Sequence, residues 1–393
     1  MDPPRILTLT IMSINSEIFI KNSNFPCSPA RKNITSAPLR TSTMRRIVPI
    51  ICTVALFAFA SLGLAQTVAT TPVGFTTATI PAAPSGTTPA NTTICSAFYA
   101  PAEFTGAVSS VDSSNQISLS GAAFGNLTTV AHLARFKSGG SVGRFFVVTA
   151  NSATQVTLNT AATGGSGYTL TTGSPGAGQT QVVAGDSVEI LPANTFGSLF
   201  GTVPVANSGT MPFLTGATFD VADNIQLFNG ATWDVYFHNG TNWRKTGSGL
   251  NQNNTVVLPD RGMFVIRRAT SALSLNFLGT VPSTTEKTDF PGPGNTFKAN
   301  RFPLDTNLLT LGLQTLPNWQ SGATFDVADN VYLWNGTTWV VYFWNGTNWK
   351  KTGSGLNQNT TAVPTGTPFF VVRQSSASGA TSTLTQTLPY TLN

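Results

Sequence analysis

The feature that most constrains this chain is a long internal repeat. Residues 216–267 align with residues 322–373 without a gap, at an offset of 106 positions, and 36 of the 52 aligned positions are identical. Short apolar runs in each copy are separated by Asn-Gly pairs, at 229–230, 239–240, 335–336 and 345–346. Asn-Gly between β-branched and aromatic residues is typical of hairpins with a type I′ turn, because both residues tolerate positive φ. Each copy is therefore predicted to form a three-stranded antiparallel meander, closed by a fourth strand at 264–267 or 370–373.

Aromatic residues concentrate in the repeat. All seven tryptophans lie in this half of the chain: Trp233, Trp243, Trp319, Trp334, Trp339, Trp344 and Trp349. Such rings either stack on the apolar faces of sugars or fill the core face of a strand, and core packing is the favoured interpretation. Trp334 and Trp344 align with Phe228 and His238, so these two positions are expected to be more exposed. If the repeat binds a ligand, the candidate residues are Trp334, Trp344, Trp339 and Trp233.

The repeated segment FDVADN carries two aspartates in each copy, Asp220 with Asp223 and Asp326 with Asp329. Calcium takes about six to eight oxygen ligands, and two carboxylates in so short a segment supply too few. Asp side chains also cap turns by hydrogen bonding to nearby backbone, and this interpretation is favoured at the entrance to the first strand. No metal site and no cofactor is predicted.

The first 65 residues differ in character from the rest. Met44-Arg45-Arg46 is followed by the apolar run IVPIICTVALFAFASLGLA, which ends in small residues and is typical of a secretory signal peptide. We predict that residues 1–43 are an upstream extension outside the mature protein, and that residues 44–65 are a signal peptide cleaved after Ala65. The run is short for a membrane-spanning helix, so no transmembrane anchor is expected after cleavage.

Cleavage would change the charge balance. The whole chain has 21 Lys and Arg against 15 Asp and Glu, and residues 1–65 hold seven of the basic and two of the acidic groups. The mature chain keeps 14 basic groups (21 less 7) and 13 acidic groups (15 less 2), a net charge of +1. No basic cluster larger than a pair remains, so nucleic acid is not expected as a partner.

The mature chain offers few residues for catalysis. Its histidines are His132, within an apolar segment, and His238, which Trp344 replaces in the second copy. Neither stands in the context of a catalytic triad or a zinc site, and no serine lies in a nucleophile elbow. Cys95 is the single cysteine after cleavage, so no internal disulfide is expected. A non-enzymatic protein is predicted.

The pattern of short strands and turns predicts an all-β fold, in which a small β-barrel or sandwich domain precedes two tandem homologous antiparallel β units. The predicted segments are an N-terminal domain (66–192), a first repeat unit (193–282), a linker (283–298) and a second repeat unit (299–393). The linker is inferred from Pro291 and Pro293, and residues 162–180 are predicted to be a surface loop rich in Gly, Ser and Thr. The sequence does not decide whether the two units form one sandwich or two domains.

Several segments of the mature chain carry a family resemblance. They are VGFTTATIPA from Val73, AEFTGAVSSV from Ala102, GRFFVVTANSATQVTLN from Gly143, AGDSVEILPANTFGSLFG from Ala184 and ANRFPLDTNLLTLGL from Ala299. On these segments and the repeated units, the chain resembles a family of uncharacterised secreted β-rich proteins of Verrucomicrobia-type bacteria. The resemblance covers nearly all of the mature chain, and it implies no activity, cofactor or catalytic residue.

Two non-enzymatic functions agree with these features. The first is an exported structural or adhesive protein of the cell surface or extracellular matrix, which the duplication, the low charge and the β-rich composition favour. The second is a carbohydrate-binding protein that uses exposed Trp in the repeats, where paired units raise avidity. Expected partners are polysaccharide or other surface proteins, and the expected location is periplasmic, cell-surface or extracellular.

Overall fold

The computed structural model describes residues 72–374 and 381–392, all of which belong to one compact unit. These described residues are nearly all β, with 42% strand and 6% helix, so the predicted all-β fold class is confirmed. The predicted upstream extension (1–43) and signal peptide (44–65) lie outside the described residues. Within the described ranges, no helix is long and apolar enough to cross a membrane.

In the part of the chain that the structure describes, ten strands precede α1 (Phe196–Phe200). They are β1 (Val73–Ile80), β2 (Ala90–Ile94), β3 (Phe104–Ser113), β4 (Gln116–Leu119), β5 (His132–Phe136), β6 (Phe145–Asn151), β7 (Gln155–Asn159), β8 (Thr169–Thr171), β9 (Gln179–Gln181) and β10 (Ser187–Pro192). Six of them close into an antiparallel barrel in the order β10-β3-β4-β7-β6-β5. Alternate residues of each strand point inward, and Val108, Ile117 and Phe146 are among those that fill the interior.

The predicted surface loop at 162–180 contains regular structure. A 3-10 turn spans Ala162–Gly164, and β8 and β9 pair in parallel. Leu170, only 4% exposed, packs into the barrel core. The sequence did not predict this pairing, because β8 and β9 have three residues each and are too short to show an alternation of apolar and polar residues.

The first five-stranded sheet follows the barrel. Its elements are α1 (Phe196–Phe200), β11 (Asn224–Phe228), β12 (Trp233–His238), β13 (Trp243–Lys245), β14 (Met263–Arg267) and β15 (Leu273–Thr280). The strand order is β13-β12-β11-β14-β2, and β1 pairs separately with β15. Phe196 and Phe200 of α1 pack with Trp243 and Met263 in the core beneath this sheet.

The second sheet repeats this arrangement. Its elements are β16 (Glu286–Phe290), β17 (Gly294–Ala299), β18 (Thr306–Asn307), α2 (Leu308–Leu311), β19 (Asn330–Trp334), β20 (Trp339–Trp344), β21 (Trp349–Lys351), β22 (Ala362–Val363), β23 (Pro368–Arg373) and β24 (Ser382–Gln386). The strand order is β17-β23-β19-β20-β21, β16 pairs with β24, and β18 pairs with β22. Leu308 and Leu311 of α2 pack with Trp349 in the second core.

The Asn-Gly pairs lie in hairpin loops, but the turns are not type I′. Gly230 has a φ of 102°, whereas Ser208 and Asn318 are the only non-glycine residues with positive φ in the described part of the chain. Asn229 Oδ1 accepts the backbone N–H of Ala231 (3.1 Å) and of Thr232 (2.9 Å). The other three Asn-Gly pairs make the same two bonds. The side-chain oxygen therefore closes each loop, and positive φ is needed at the glycine alone.

The segment 283–298 is not the irregular linker that the sequence predicted, since it holds β16 and β17. These strands take the same places as β1 and β2: Phe297 is opposite Phe370, and Thr93 is opposite Phe264. Strands β1 and β2 consequently belong with the first sheet rather than with an N-terminal domain at 66–192. The barrel strands lie between β2 and α1. The sequence did not predict these strand assignments, because each strand pairs with a partner far away in sequence.

Candidate functional site

Aromatic side chains from the two sheets meet in one cluster, the aromatic seam. Its members are Phe228, Trp233, Phe264, Phe297, Trp334, Trp339 and Phe370. The ring centroids of Phe228 and Phe370 are 4.9 Å apart, and those of Phe264 and Trp334 are 5.3 Å apart. Phe228 aligns with Trp334 in the repeat, and Phe264 aligns with Phe370. The two contacts are therefore reciprocal, as in a pseudo-twofold pair.

The alternation of side chains along a strand explains why these rings point away from the two hydrophobic cores. Met263 and Val265 of β14 are fully buried in the first core, and Phe264 between them points to the opposite face of the sheet. In β23, Phe369 and Val371 face the second core, so Phe370 points away from it. Each copy thus builds one core on one face and contributes to the seam with the other.

A groove of about 270 Å³ opens beside the seam. It is lined by Trp233, Tyr332, Trp339, Phe370 and Val372, all of which are half-buried. Within the described ranges, no protein acceptor receives a hydrogen bond from the indole N–H of Trp233 or Trp339, and neither nitrogen is sealed from solvent. The groove therefore offers aromatic faces together with free donors, a combination that suits an amphipathic ligand.

The structure brings three of the four candidate tryptophans together. Trp233 and Trp339 line the groove, and Trp334 packs against Trp339 with ring centroids 5.3 Å apart. The indole of Trp334 donates to Asn91 O at 3.3 Å, which fixes its ring against β2. Trp344 lies elsewhere, on Trp349 at the margin of the second core. Trp344 is therefore separate from the groove.

The groove also contains residues that the sequence did not single out. Tyr332, Phe370 and Val372 come from the second copy, whereas Trp233 comes from the first. No local pattern shows which face of a strand meets another unit. The one sequence signal for this face is the alternation around Phe264 and Phe370, because each of these large rings lies between two core residues of its strand.

Each FDVADN segment uses its second aspartate as a buried anchor. Asp223 is fully buried and accepts hydrogen bonds from Arg267 Nη1 (2.5 Å), Arg268 N (2.6 Å) and Leu214 N (2.8 Å). Asp329 makes the equivalent bonds to Arg373 and to backbone N–H groups. For Asp223 and Asp329 the favoured interpretation of a local Asx turn is wrong, because their partners lie 9 to 46 residues away. These oxygens are already satisfied and are not available to calcium.

Both histidines are held by the fold. His132 is buried, with Nδ1 2.8 Å from Leu127 O and Nε2 3.0 Å from Glu103 Oε2. His238 Nε2 donates to Thr202 O (2.9 Å), and its Nδ1 accepts the N–H of Gly240 (3.1 Å). Burial lowers the pKa of His238, although the bond to Thr202 opposes this. Neither ring faces the groove.

Buried charges connect the barrel to β16, which pairs with β24 in a two-stranded sheet, in a cluster that we call the barrel joint. It comprises Tyr99, Arg135 of the barrel, Glu286 of β16, and Arg301. Arg135 pairs with one carboxylate oxygen of Glu286 and Arg301 with the other. Burial raises the pKa of Tyr99 to about 12, and Glu286 also raises it. Burial alone would lower the pKa of Arg301, but Glu286 and Tyr99 raise it.

A second ion pair extends the contact between the barrel and this sheet. Arg144 Nη1 lies 2.6 Å from Asp289 Oδ2, and the guanidinium sits over the Tyr168 ring at 3.7 Å. Asp289 Oδ1 accepts from Thr383 Oγ1 at 2.6 Å. Burial raises the pKa of Asp289, while Arg144 opposes the shift. Both oxygens of this carboxylate are thus occupied by structural partners.

Comparison with known proteins found no matching family model, no matching curated protein and no matching solved structure. Within residues 72–374 and 381–392, no group of three or more His, Cys, Asp or Glu side chains is placed to hold a metal ion.

Proposed function

We propose that this protein is an exported, non-enzymatic structural or adhesive component of the cell surface or extracellular matrix. The barrel joint, together with the neighbouring Arg144–Asp289 pair, is the observation that carries the proposal. Glu286 and Asp289 have both carboxylate oxygens engaged by Arg, Tyr or Thr side chains. These acidic groups fasten one part of the molecule to another and are not free to transfer protons. A body of β parts joined in this way suits a protein that presents fixed surfaces.

The composition supports the same function. Only 9% of the residues are charged. A surface that is polar but weakly charged avoids strong salt-dependent attraction to polyelectrolytes. Such a surface suits contact with neutral polymers or with other envelope proteins.

Two measurements on the producing cells test this function. In the first, intact cells are labelled with a membrane-impermeant, amine-reactive reagent. In the second, attachment of a deletion strain to surfaces and to other cells is measured. We expect labelled protein with an N-terminus near residue 66, and reduced attachment that the wild-type gene restores. Protein confined to the cytoplasm, or unchanged attachment in the deletion strain, contradicts the proposal.

The groove favours a second candidate, binding of carbohydrate. Trp233 and Trp339 come from equivalent positions of the two copies and line one groove. Aromatic faces stack on the C–H faces of sugar rings, and the indole N–H groups are donors for hydroxyls.

Affinity electrophoresis in gels containing neutral polysaccharides tests the second candidate. Trp339→Ala should abolish retardation, and Trp233→Ala should weaken it. Trp344→Ala is the matched control, because it removes a half-buried Trp of the same sheet outside the groove, and it should migrate like wild type. Equal migration of all variants in every gel rules out the groove as a glycan site.

A further inference from the structure

Strand β1 has one open edge in the part of the chain that the structure describes. It pairs with β15 alone, and the register places Val73 opposite Thr280. Thr280 N donates to Tyr99 O at 2.8 Å and Thr280 O accepts from Tyr99 N at 3.1 Å, so both groups of Thr280 point away from β1. Val73 and Thr280 are therefore a non-hydrogen-bonded pair, and every second residue of β1 has the same orientation because the register has no bulge. The residues whose N–H and C=O groups face the open edge are Val73, Phe75, Thr77 and Thr79.

The main-chain groups along this edge have no partner within residues 72–374 and 381–392, where no hydrogen bond reaches them. The side chains of the same four residues are exposed, Val73 at 50% and Phe75 at 55%. The edge and the face beside it are thus open to solvent. Unpaired N–H and C=O groups along the edge of a sheet are a template for another strand.

The equivalent edge in the second unit is covered. Lys287 of β16 takes the place of Phe75, because the residues opposite them, Thr385 and Leu278, align between the copies. Lys287 N donates to Gly143 O of the barrel at 3.3 Å, and Lys287 O accepts from an arginine of the barrel joint at 2.9 Å. The fold therefore closes this edge in one unit and leaves the corresponding edge of the other unit without a partner.

The sequence of β1 lacks the features that normally protect an edge strand. Its residues, VGFTTATI, include no charge and no proline, and five of the eight are β-branched. Edge strands commonly avoid pairing with other chains through Lys, Pro or a bulge. The outward residues of β16, in contrast, are Lys287 and Asp289, which the barrel matches with Gly140 O and Arg144. A strand without charges can pair with an identical strand, because no like charges are brought opposite each other.

We propose that β1 pairs with β1 of a second copy, antiparallel and about a twofold axis. The two β1–β15 pairs then form one continuous sheet in the order β15-β1-β1-β15, in which the outward N–H and C=O groups find partners. A twofold contact of this kind is closed, so it gives dimers and not filaments. One pair of eight-residue strands is a small contact, below the roughly 1,200 Å² of a stable interface, so the dimer should be weak. This pairing goes beyond the proposed surface role and does not depend on it.

Sedimentation velocity and hydrogen exchange of the protein purified from the producing cells test the pairing. The wild type should pass from monomer to dimer between about 1 µM and about 1 mM, and amide exchange in residues 73–80 should slow over the same range. Thr77→Pro removes one outward N–H from each strand and should weaken dimerisation about tenfold or more. This N–H makes no bond to β15, so the variant should remain folded, which thermal unfolding checks. Amide exchange of the wild type gives an answer that needs no variant.

Two further variants serve as controls. Thr77→Ala keeps the N–H and should dimerise like wild type. Leu278 is 71% exposed on the same face as Phe75 but belongs to β15, so Leu278→Lys should also leave the dimer unchanged. A dimer that Leu278→Lys abolishes and Thr77→Pro does not would show packing of apolar faces in place of strand pairing.

Other results also overturn the proposal. A monomer at every concentration would exclude the dimer. Slow exchange in residues 73–80 at every concentration would mean that the chain's own residues cover the edge of β1.

Discussion

His238 and Trp344 occupy equivalent positions in the two copies but make different contacts. His238 is completely buried and uses both ring nitrogens, donating from Nε2 to Thr202 O and accepting at Nδ1 from Gly240 N. This arrangement requires the neutral ring, because a protonated Nδ1 could not accept the N–H of Gly240 and would place two N–H groups against each other. Trp344 has no such constraint and lies partly exposed on Trp349.

Acid should therefore destabilise the protein through His238. Its pKa is lowered in the fold, and the unfolded value is about 6.5. Above that pH both states hold a neutral ring and His238 contributes no pH dependence. Below it the unfolded state binds more protons, so stability falls, by at most about 1.4 kcal/mol per pH unit for one group. Urea unfolding of wild type and His238→Gln between pH 7.5 and 5 checks this, and equal slopes would contradict it.

Cys95 should be unreactive in the native protein. It is 2% exposed, and burial raises the pKa of its thiol to about 12, so almost no thiolate exists near neutral pH. Iodoacetamide at pH 8 should leave the Cys95 peptide unmodified until denaturant is added, as measured by mass spectrometry. Rapid labelling of the folded protein would show that the side chain is accessible.

The hairpins show what the sequence predicts at the level of single elements. All four Asn-Gly pairs mark hairpin loops as expected, because apolar strands flank them. The predicted type I′ turn was wrong. Each Asn side-chain oxygen accepts two backbone N–H groups, and the Asn backbone does not adopt positive φ. Strands β16 and β17 were missed because their partners, β24 and β23, lie about 70 to 100 residues away.

Removing one loop-closing side chain should weaken its hairpin. In the loop between β19 and β20, Asn335 Oδ1 accepts from Thr337 N (2.9 Å) and Thr338 N (2.8 Å). Asn335→Ala should reduce the free energy of unfolding by about 1 kcal/mol. The exposed neighbour Thr337→Ala is the control and should change it little. Equal effects in chemical denaturation would argue against the side-chain closure.

Across the whole molecule, the barrel and the two sheets depend on contacts that no local pattern reveals. The aromatic seam needs both copies, and the barrel joint needs the barrel and β16. The sequence shows Trp233 and Trp339 at equivalent positions of the two copies, but it could not place them on one groove. Trp344 was grouped with them because its position differs between the copies, and that difference does not show which way the side chain points.

The barrel joint should contribute strongly to stability. Glu286→Gln leaves Arg301 buried without the carboxylate that it pairs with, and it leaves Arg135 only the longer pair with Glu189 at 3.4 Å. Breaking a buried ion pair costs about 3–5 kcal/mol. Glu103→Gln is the control, since the Glu103 side chain is 57% exposed. Chemical denaturation should separate the two variants by at least about 2 kcal/mol. A Glu286→Gln protein as stable as the control would mean that the charges do not fasten the barrel.

The reciprocal packing of the two copies underlies the groove, and a pair of double-mutant cycles tests it most directly. Phe228→Ala with Phe370→Ala, and Phe264→Ala with Trp334→Ala, should each show a coupling of about 0.5–1.5 kcal/mol in equilibrium unfolding. The cross-pair Phe104→Ala with Trp334→Ala should be additive, because Phe104 packs on Phe124 at the barrel. Coupling in both cycles is the predicted result, and additivity in both would contradict the seam.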